Sequence, residues 1–483
     1  MIVLLFISIL SIDSILTPPE LSNAQFGICV LDLSHDRVVY VRNSQKLLVP
    51  ASNMKIITTG ASLCFLGPEY RFKTMLAING KIEKNKLHGD IIITGGGDPT
   101  FSLENLEQFV LTIQKHKIKE ITGNIILDDS YFTDISLNGN SFTFERLPIG
   151  WAWHYLDARY APEISALSMN KNCVNVKMKS TKPGDYADVT IEPETDYVRL
   201  INNMITKQGE DSIIILRRPE ANVIYVDGGI GENHKKDIEV TVKDPAMFMG
   251  QYFKERLLYT NIKLHGNVLK KSDTKLSTTD SSNAGIIIDS VISVPLIEIL
   301  KETNIESVNL YAEILVKTLG ARYYEEGSFR AGIRVLKRFL RMCGVDTNAV
   351  SLWDGSGLSR HNLVSPYQLA LVLRFMYRSK FSKTFYELLP KSGVGTLEYR
   401  FNDFEGIMYA KTGSLHAVTC LSGYLCIDET DYCFSMMFNN FTCKRKKIEQ
   451  IQEQIIRAIK EQLTSRSSPL MPACAVHADR WEE

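Results

Sequence analysis

Ser52-Asn53-Met54-Lys55 pairs a hydroxyl with an amine three positions further on. The apolar spacing of the residues that follow Pro50, closed by Gly67, predicts a helix beginning at Ser52. Residues three apart on a helix are neighbours, so Lys55 sits over Ser52. A serine hydroxyl is a poor nucleophile until a base takes its proton. Lysine can be that base when burial and a second cation lower its pKa. Two further motifs follow in order, Ser307-Val308-Asn309 and Lys411-Thr412-Gly413. Lys411 is the candidate second cation if its strand lines the same cleft. In this scheme Ser52 is the nucleophile and Lys55 the base. Ser307 relays the proton to the departing amine, and Asn309 holds the substrate's amide backbone. The backbone N–H groups of Ser52 and Ser414 form an oxyanion hole, a stabilisation of about 3–4 kcal/mol per donor. The segment Lys411-Thr412-Gly413-Ser414 binds the substrate, with Lys411 and the Thr412 and Ser414 hydroxyls on its carboxylate.

Taken singly, two of these motifs are weak. S-x-x-K recurs at Ser168 and Ser272, and S-x-N at Ser136, Ser168 and Ser281, whereas K-T-G occurs once. Each residue also has a plainer reading. Ser52 suits a helix N-cap, the lysines suit solvated charges, and Ser307-Val308-Asn309 suits a loop entering a helix. Context separates the copies. Ser272 lies in a polar loop and Ser168 in a turn-rich stretch, whereas Ser52 opens a helix ahead of the other two motifs in order.

The elements that must hold these residues lie at both ends of the chain. Phe26 to Asn43 reads as a hairpin turning at Ser34-His35-Asp36-Arg37. Far downstream, Gly406–Thr412, Val418–Asp428 and Tyr432–Phe441 read as strands, and Lys444–Leu463 as an amphipathic helix. An α+β fold is expected: one antiparallel sheet drawn from both ends, with helices on its faces. Between the ends, Lys73 to about Thr279 is β-rich and reads as an insertion, while Ile286 to about Leu389 reads as mostly helical, with a polar boundary at Lys270–Asn283. The expected organisation is a discontinuous catalytic domain (12–72 and 280–464), two nested β-rich modules (73–279) and a loose tail (465–483).

With 483 residues, two or three domains are expected. A 45% apolar and 23% charged composition is that of a folded globular protein. The 55 basic and 55 acidic residues cancel, which argues against a nucleic-acid partner. Nine cysteines show no metal spacing; Cys426 and Cys433 flank a hairpin turn and suit a disulfide in an oxidising compartment, with buried thiols the plainer account. No HExxH occurs, and neither metal nor cofactor is implied. GGGDP lacks the Lys-Ser/Thr of a phosphate loop and reads as a turn. Asp354-Gly355-Ser356-Gly357 lacks the flanks of a nucleophile elbow and reads as a glycine-rich loop bordering the active site. Ile2–Leu10 is a short apolar run, about half the length of a membrane span, with no Lys or Arg before it.

The three motifs in order are those of penicillin-binding proteins and serine β-lactamases. Beyond them, the chain resembles the D-alanyl-D-alanine carboxypeptidases/endopeptidases of the penicillin-binding protein 4 (DacB) type, peptidase family S13, over nearly all its length. LVPASNMKIITTGASLCFLGPEYRFKT, NIESVNLYAEILVKTLG, LWDGSGLSRHNLVSP and YAKTGSL resemble that family's first motif, second motif, glycine-rich loop and third motif. GGGDPTF (Gly95–Phe101) and YAPEISALSMNKN (Tyr160–Asn172) resemble stretches of its inserted domains. The long interval from Lys55 to Ser307 also matches the family; class A β-lactamases have no room for it. Val308 departs from the frequent Asp of S-D-N, and tolerance is expected there. The resemblance implies cleavage of the terminal D-Ala-D-Ala bond of peptidoglycan stem peptides, and of D-Ala–diaminopimelate cross-links as a second activity. It implies acylation of Ser52 by β-lactam antibiotics, no cofactor, and at most peripheral membrane association. Ile12–Gly27 resembles the helix that opens the mature domain, so residues 1–11 read as the remnant of a signal peptide, truncated at its start, for export to the periplasm. Two rivals stand beside this reading: a β-lactamase or esterase-like hydrolase on the same scaffold, and a cell-wall peptide-binding module without catalysis.

Overall fold

The computed structural model describes residues 12–133, 135–138, 141–274 and 285–466. The expected leader (1–11), the tail from 467 and the S-x-N copy at Ser281 lie outside the described residues.

After a short helix at Ile12–Ile15 comes the hairpin β1 (Gln25–Asp32) and β2 (Arg37–Arg42), followed by a short 3-10 turn, Ala51–Asn53, and α1 (Met54–Leu66). The first insertion strands are β3 (Lys73–Glu83) and β4 (Lys86–Gly95), and the last is β5 (Ile286–Ile292). Five helices follow: α2 (Leu296–Ile305), α3 (Asn309–Tyr324), α4 (Phe329–Met342), α5 (Pro366–Arg378) and a short one at Ser382–Leu388. Strands β6 (Met408–Leu415), β7 (Val418–Ile427) and β8 (Thr430–Asn439) and helix α6 (Arg445–Arg466) complete the fold.

The catalytic sheet runs β6-β7-β8-β1-β2 and is antiparallel throughout. Both faces are covered, and side-chain alternation shows it. Ile28 and Val30 of β1 and Phe434, Met436 and Phe438 of β8 pack with Ile448, Ile451 and Ile455 of α6. Cys29, Leu31, Cys433 and Met437 point the other way, into a core with α1, α3, α4 and α5. α3 runs through this second layer and is buried all round from Asn309 to Gly320, so apolar periodicity does not mark one face of it. This α+β arrangement is the fold class expected.

The insertion has its own core, centred on residues such as Leu76, Ile91, Phe109, Val176, Val226 and Phe253. Its larger sheet contains β3, β4 and β5; two smaller sheets come from strands between Cys173 and Thr241. One expectation is corrected here. Ile286–Ile292, read as the start of the helical region, is a strand paired antiparallel with β3, and Val291 belongs to the insertion's core. Its isoleucine run fits helix or strand equally by pattern alone. The hydrogen-bonding edge of β3 decides it, and the chain leaves the insertion at Ser293 rather than before Asp280. The strand read as Gly406–Thr412 runs from Met408 to Leu415, and the final helix continues to Arg466. Cys426 and Cys433 are free thiols, facing Asp431 and Tyr424 across the hairpin rather than each other.

Candidate active site

α1 begins under the sheet because its first turn is fastened to the central strands. Asn53 Nδ2 donates to Ser422 Oγ at 2.6 Å, and Ser422 to Ser435 Oγ at 2.8 Å, linking the helix start to β7 and β8. Ala51, just before the serine, has a left-handed backbone (φ 46°), a conformation disfavoured for residues with a Cβ. A side chain on Gly413 would meet Pro50 O at 2.8 Å and Ser52 N at 3.0 Å, so only glycine lets β6 pass this close to the nucleophile candidate.

Lys55 is fully buried. Its Nζ lies 3.0 Å from Ser52 Oγ, 2.6 Å from Asn309 Oδ1 and 3.1 Å from the Ser356 carbonyl. Burial pulls its pKa down from 10.5 to about 7, against the opposing pull of Glu313 and Asp354. A neutral amine has two N–H bonds and one lone pair. Asn309 Oδ1 and Ser356 O take the two N–H bonds, which leaves the lone pair for the hydroxyl of Ser52. Ser52 does not act as a side-chain cap: the N-cap position of α1 is Asn53, and no side-chain cap bond forms there.

Lys411, on β6 opposite Ser422, is also fully buried, and Nζ donates to Thr412 O at 3.1 Å. It was expected to stay a plain cation. Instead burial, reinforced by Lys55, holds its pKa well below the ordinary lysine value, with only Glu306 pulling the other way. Ser307 occupies the turn between α2 and α3 with φ 58°, half-buried. The hydroxyls of Ser307, half-buried Thr412 and exposed Ser414 make no side-chain hydrogen bond to the described residues. Asn309 has a further task beside its expected one. Its carboxamide already serves the protein, with Oδ1 on Lys55 and Nδ2 donating to Tyr160 O at 2.7 Å. One amide N–H is left for a substrate.

The S-x-x-K copies at Ser168 and Ser272 do other work. Ser168 is buried, donates to Ser165 O and accepts from Asn172, while Lys171 pairs with Glu302 at 2.8 Å. Ser272 is exposed and bonded to Asp273. In GGGDP, Asp98 caps its own turn through Thr100 N and Oγ1. Sequence reasoning missed Glu313, which accepts from Gly355 N and Ser356 N at 2.8 Å each. Its signal was present: one carboxylate in an apolar helix, four residues after Asn309 and therefore on the same face. Asp354 is likewise buried and accepts from Gly357 N, Ser359 N, Asn362 Nδ2 and Trp151 Nε1. Together these acids organise the glycine-rich loop. Among the described residues no cluster of His, Cys, Asp or Glu is placed to hold a metal ion, and no helix is long and apolar enough to cross a membrane.

A buried lysine beside a serine at a helix start, between an antiparallel sheet and a helical layer, defines a serine enzyme of the penicillin-binding architecture. The chain belongs to the D-Ala-D-Ala carboxypeptidase 3 (S13) family, whose model matches residues 9–462. It is 30% identical over 445 residues to the D-alanyl-D-alanine carboxypeptidase of Actinomadura sp. (strain R39), covering 89% of this chain and 80% of that protein. It is 25% identical over 421 residues to the D-alanyl-D-alanine carboxypeptidase DacB of Haemophilus influenzae, covering 84% and 83%. The crystal structure of penicillin binding protein 4 (dacB) from Haemophilus influenzae superposes with a TM-score of 0.79 at 22% identity, covering 93% of this chain and 99% of that one. The expected activity, serine-type D-Ala-D-Ala carboxypeptidase, is that of this family.

Proposed function

We propose that Ser52 is the nucleophile and Lys55 the general base of this carboxypeptidase. The observation that carries the assignment is the set of three contacts at Lys55 Nζ. Lys55 takes the Ser52 proton as Oγ attacks the carbonyl between the two terminal D-alanines of a peptidoglycan stem peptide. Negative charge on the carbonyl oxygen is met by the N–H groups of Ser52 and Ser414. The bond to the last D-alanine breaks, and the proton passes to its amine through Ser307. Water then attacks the acyl-enzyme, with Lys55 again as base.

Lys411, Thr412 and Ser414 hold the substrate's terminal carboxylate, and the remaining Asn309 N–H holds its amide backbone. A carboxylate entering this pocket supplies the partner that Lys411 lacks, so Lys411 takes up a proton as substrate binds. β-Lactams acylate Ser52 because they imitate the D-Ala-D-Ala end. Cleavage of D-Ala–diaminopimelate cross-links uses the same steps with a different leaving amine. Such substrates place the enzyme outside the cytoplasmic membrane.

Intact-protein mass spectrometry after incubation with a labelled penicillin tests this. One adduct on Ser52, absent together with D-alanine release in Ser52→Ala, is expected. Label on Ser168 or Ser272 would refute the assignment. Rapid turnover of the adduct would favour a β-lactamase, and absence of any adduct a binding module.

A further inference from the structure

The lone pair of Lys55 points at Ser52 only while both of its N–H acceptors stay in place. One of them, Asn309 Oδ1, is fixed by its helix and by Tyr160 O. The other is the Ser356 carbonyl, which belongs to a glycine-rich loop with no regular structure of its own. Loops are ordinarily the more mobile parts of a fold. This one is gripped from two sides. From α3, both carboxylate oxygens of fully buried Glu313 accept the successive N–H groups of Gly355 and Ser356. From α1, Thr58 Oγ1 donates to Gly355 O at 2.7 Å. The clamp thus holds the two peptide units immediately before the one that carries the carbonyl bonded to Lys55, whose own N–H, on Gly357, donates to Asp354 Oδ1.

Resting on the assignment of Lys55 as base, we propose that Glu313 is a positioning residue for the reaction: by clamping Gly355 and Ser356 it holds the second acceptor of Lys55 and so aims the lone pair at Ser52. A gap of an ångström at a reacting centre lowers rates by about 100-fold, so the clamp matters to catalysis as well as to folding. Its charge also matters. Glu313 and Asp354 face Lys55 from α3 and the loop and favour its protonated form, while Lys411 faces it from β6 and is itself acted on by Glu306. Burial and Asp354 raise Glu313's own pKa, while the N–H groups of Gly355 and Ser356 pull it back toward the anion.

The test is acylation of Ser52 by a fluorescent penicillin, followed by stopped flow from about pH 5.5 to about pH 9.5. Glu313→Gln keeps the volume but turns one acceptor oxygen into a donor facing an N–H. The plateau rate should fall at least about 30-fold, and the acidic limb should move to lower pH because the anion that favoured protonated Lys55 is gone. A rate within about threefold of wild type would overturn the proposal, as would a slower rate with an unmoved limb, which marks a merely structural carboxyl. If Glu313→Gln does not fold, isosteric Thr58→Val loosens the same loop from the other side. It should slow acylation by about three- to tenfold with the limb in place, and a folded Thr58→Val at the wild-type rate would overturn the clamp. Wild-type protein that takes no label at Ser52 would sink the assignment of Ser52 instead.

Discussion

The catalytic body and the insertion both bury lysines, with opposite results. In the insertion, Lys270 is nearly as hidden as Lys55, but its Nζ sits 2.6 Å from Asp129 Oδ2. There the field of Asp129 and Asp244 outweighs desolvation and raises its pKa. In the catalytic body, Lys55 and Lys411 meet a hydroxyl, a carboxamide and carbonyls but no carboxylate within hydrogen-bonding reach, and both are pulled down. Burial alone therefore does not make a base. A buried lysine becomes one where neutral acceptors replace the counter-ion.

The contrast can be broken first through stability. Lys270→Met takes the cation away from buried Asp129 and should lower unfolding free energy by about 3–5 kcal/mol, measured by urea denaturation. Acylation per folded molecule should stay near wild type. Lys55→Met removes a cation that the fold disfavours but also the donor to Asn309 Oδ1 and the Ser356 carbonyl, so the two effects should nearly offset, to within about 2 kcal/mol, with no acylation at all.

The two lysines should also differ in pH dependence. The charged form of Lys55 is disfavoured in the fold, so its burden is full below about pH 7 and vanishes as pH passes its ordinary value of 10.5. Any advantage of Lys55→Met should shrink over that window. Lys270, whose pKa is raised, contributes stability below 10.5 that is lost as pH rises through its folded value. Wild-type acylation should show an acidic limb near pH 7, falling about tenfold per unit below it. A flat profile there would contradict a titrating Lys55.

A smaller effect probes the approach of β6. Gly413→Ala forces a Cβ against Pro50 O and Ser52 N and should slow acylation by about 10- to 100-fold. Thermal unfolding should move by only a few degrees. An unchanged acylation rate would mean that β6 yields without disturbing the nucleophile.

Much of this was legible in local pattern. Ser52 and Lys55 are three apart on a helix, and the alternating strands at both ends of the chain announce a shared sheet. What sequence hid depends on distant neighbours. The isoleucines of β5 suit helix or strand until β3 offers its edge. The Ser356 carbonyl is backbone and carries no signature. Glu313 is the one carboxylate of α3 and went unnoticed, because its purpose depends on two amides of a loop more than forty residues away. The depressed pKa of Lys411 is likewise a sum over burial and Lys55, which motif reading treats as an ordinary charge.

Stopped-flow acylation by penicillin in Lys55→Arg and Lys411→Arg tests the central claim most directly. Arginine keeps a cation but supplies no base at accessible pH. Lys55→Arg should therefore stop acylation almost as completely as Ser52→Ala. Lys411→Arg retains the charge that meets a carboxylate, so it should weaken capture of penicillin while leaving a measurable rate. If Lys55→Arg acylates as fast as Lys411→Arg, Lys55 is not the base.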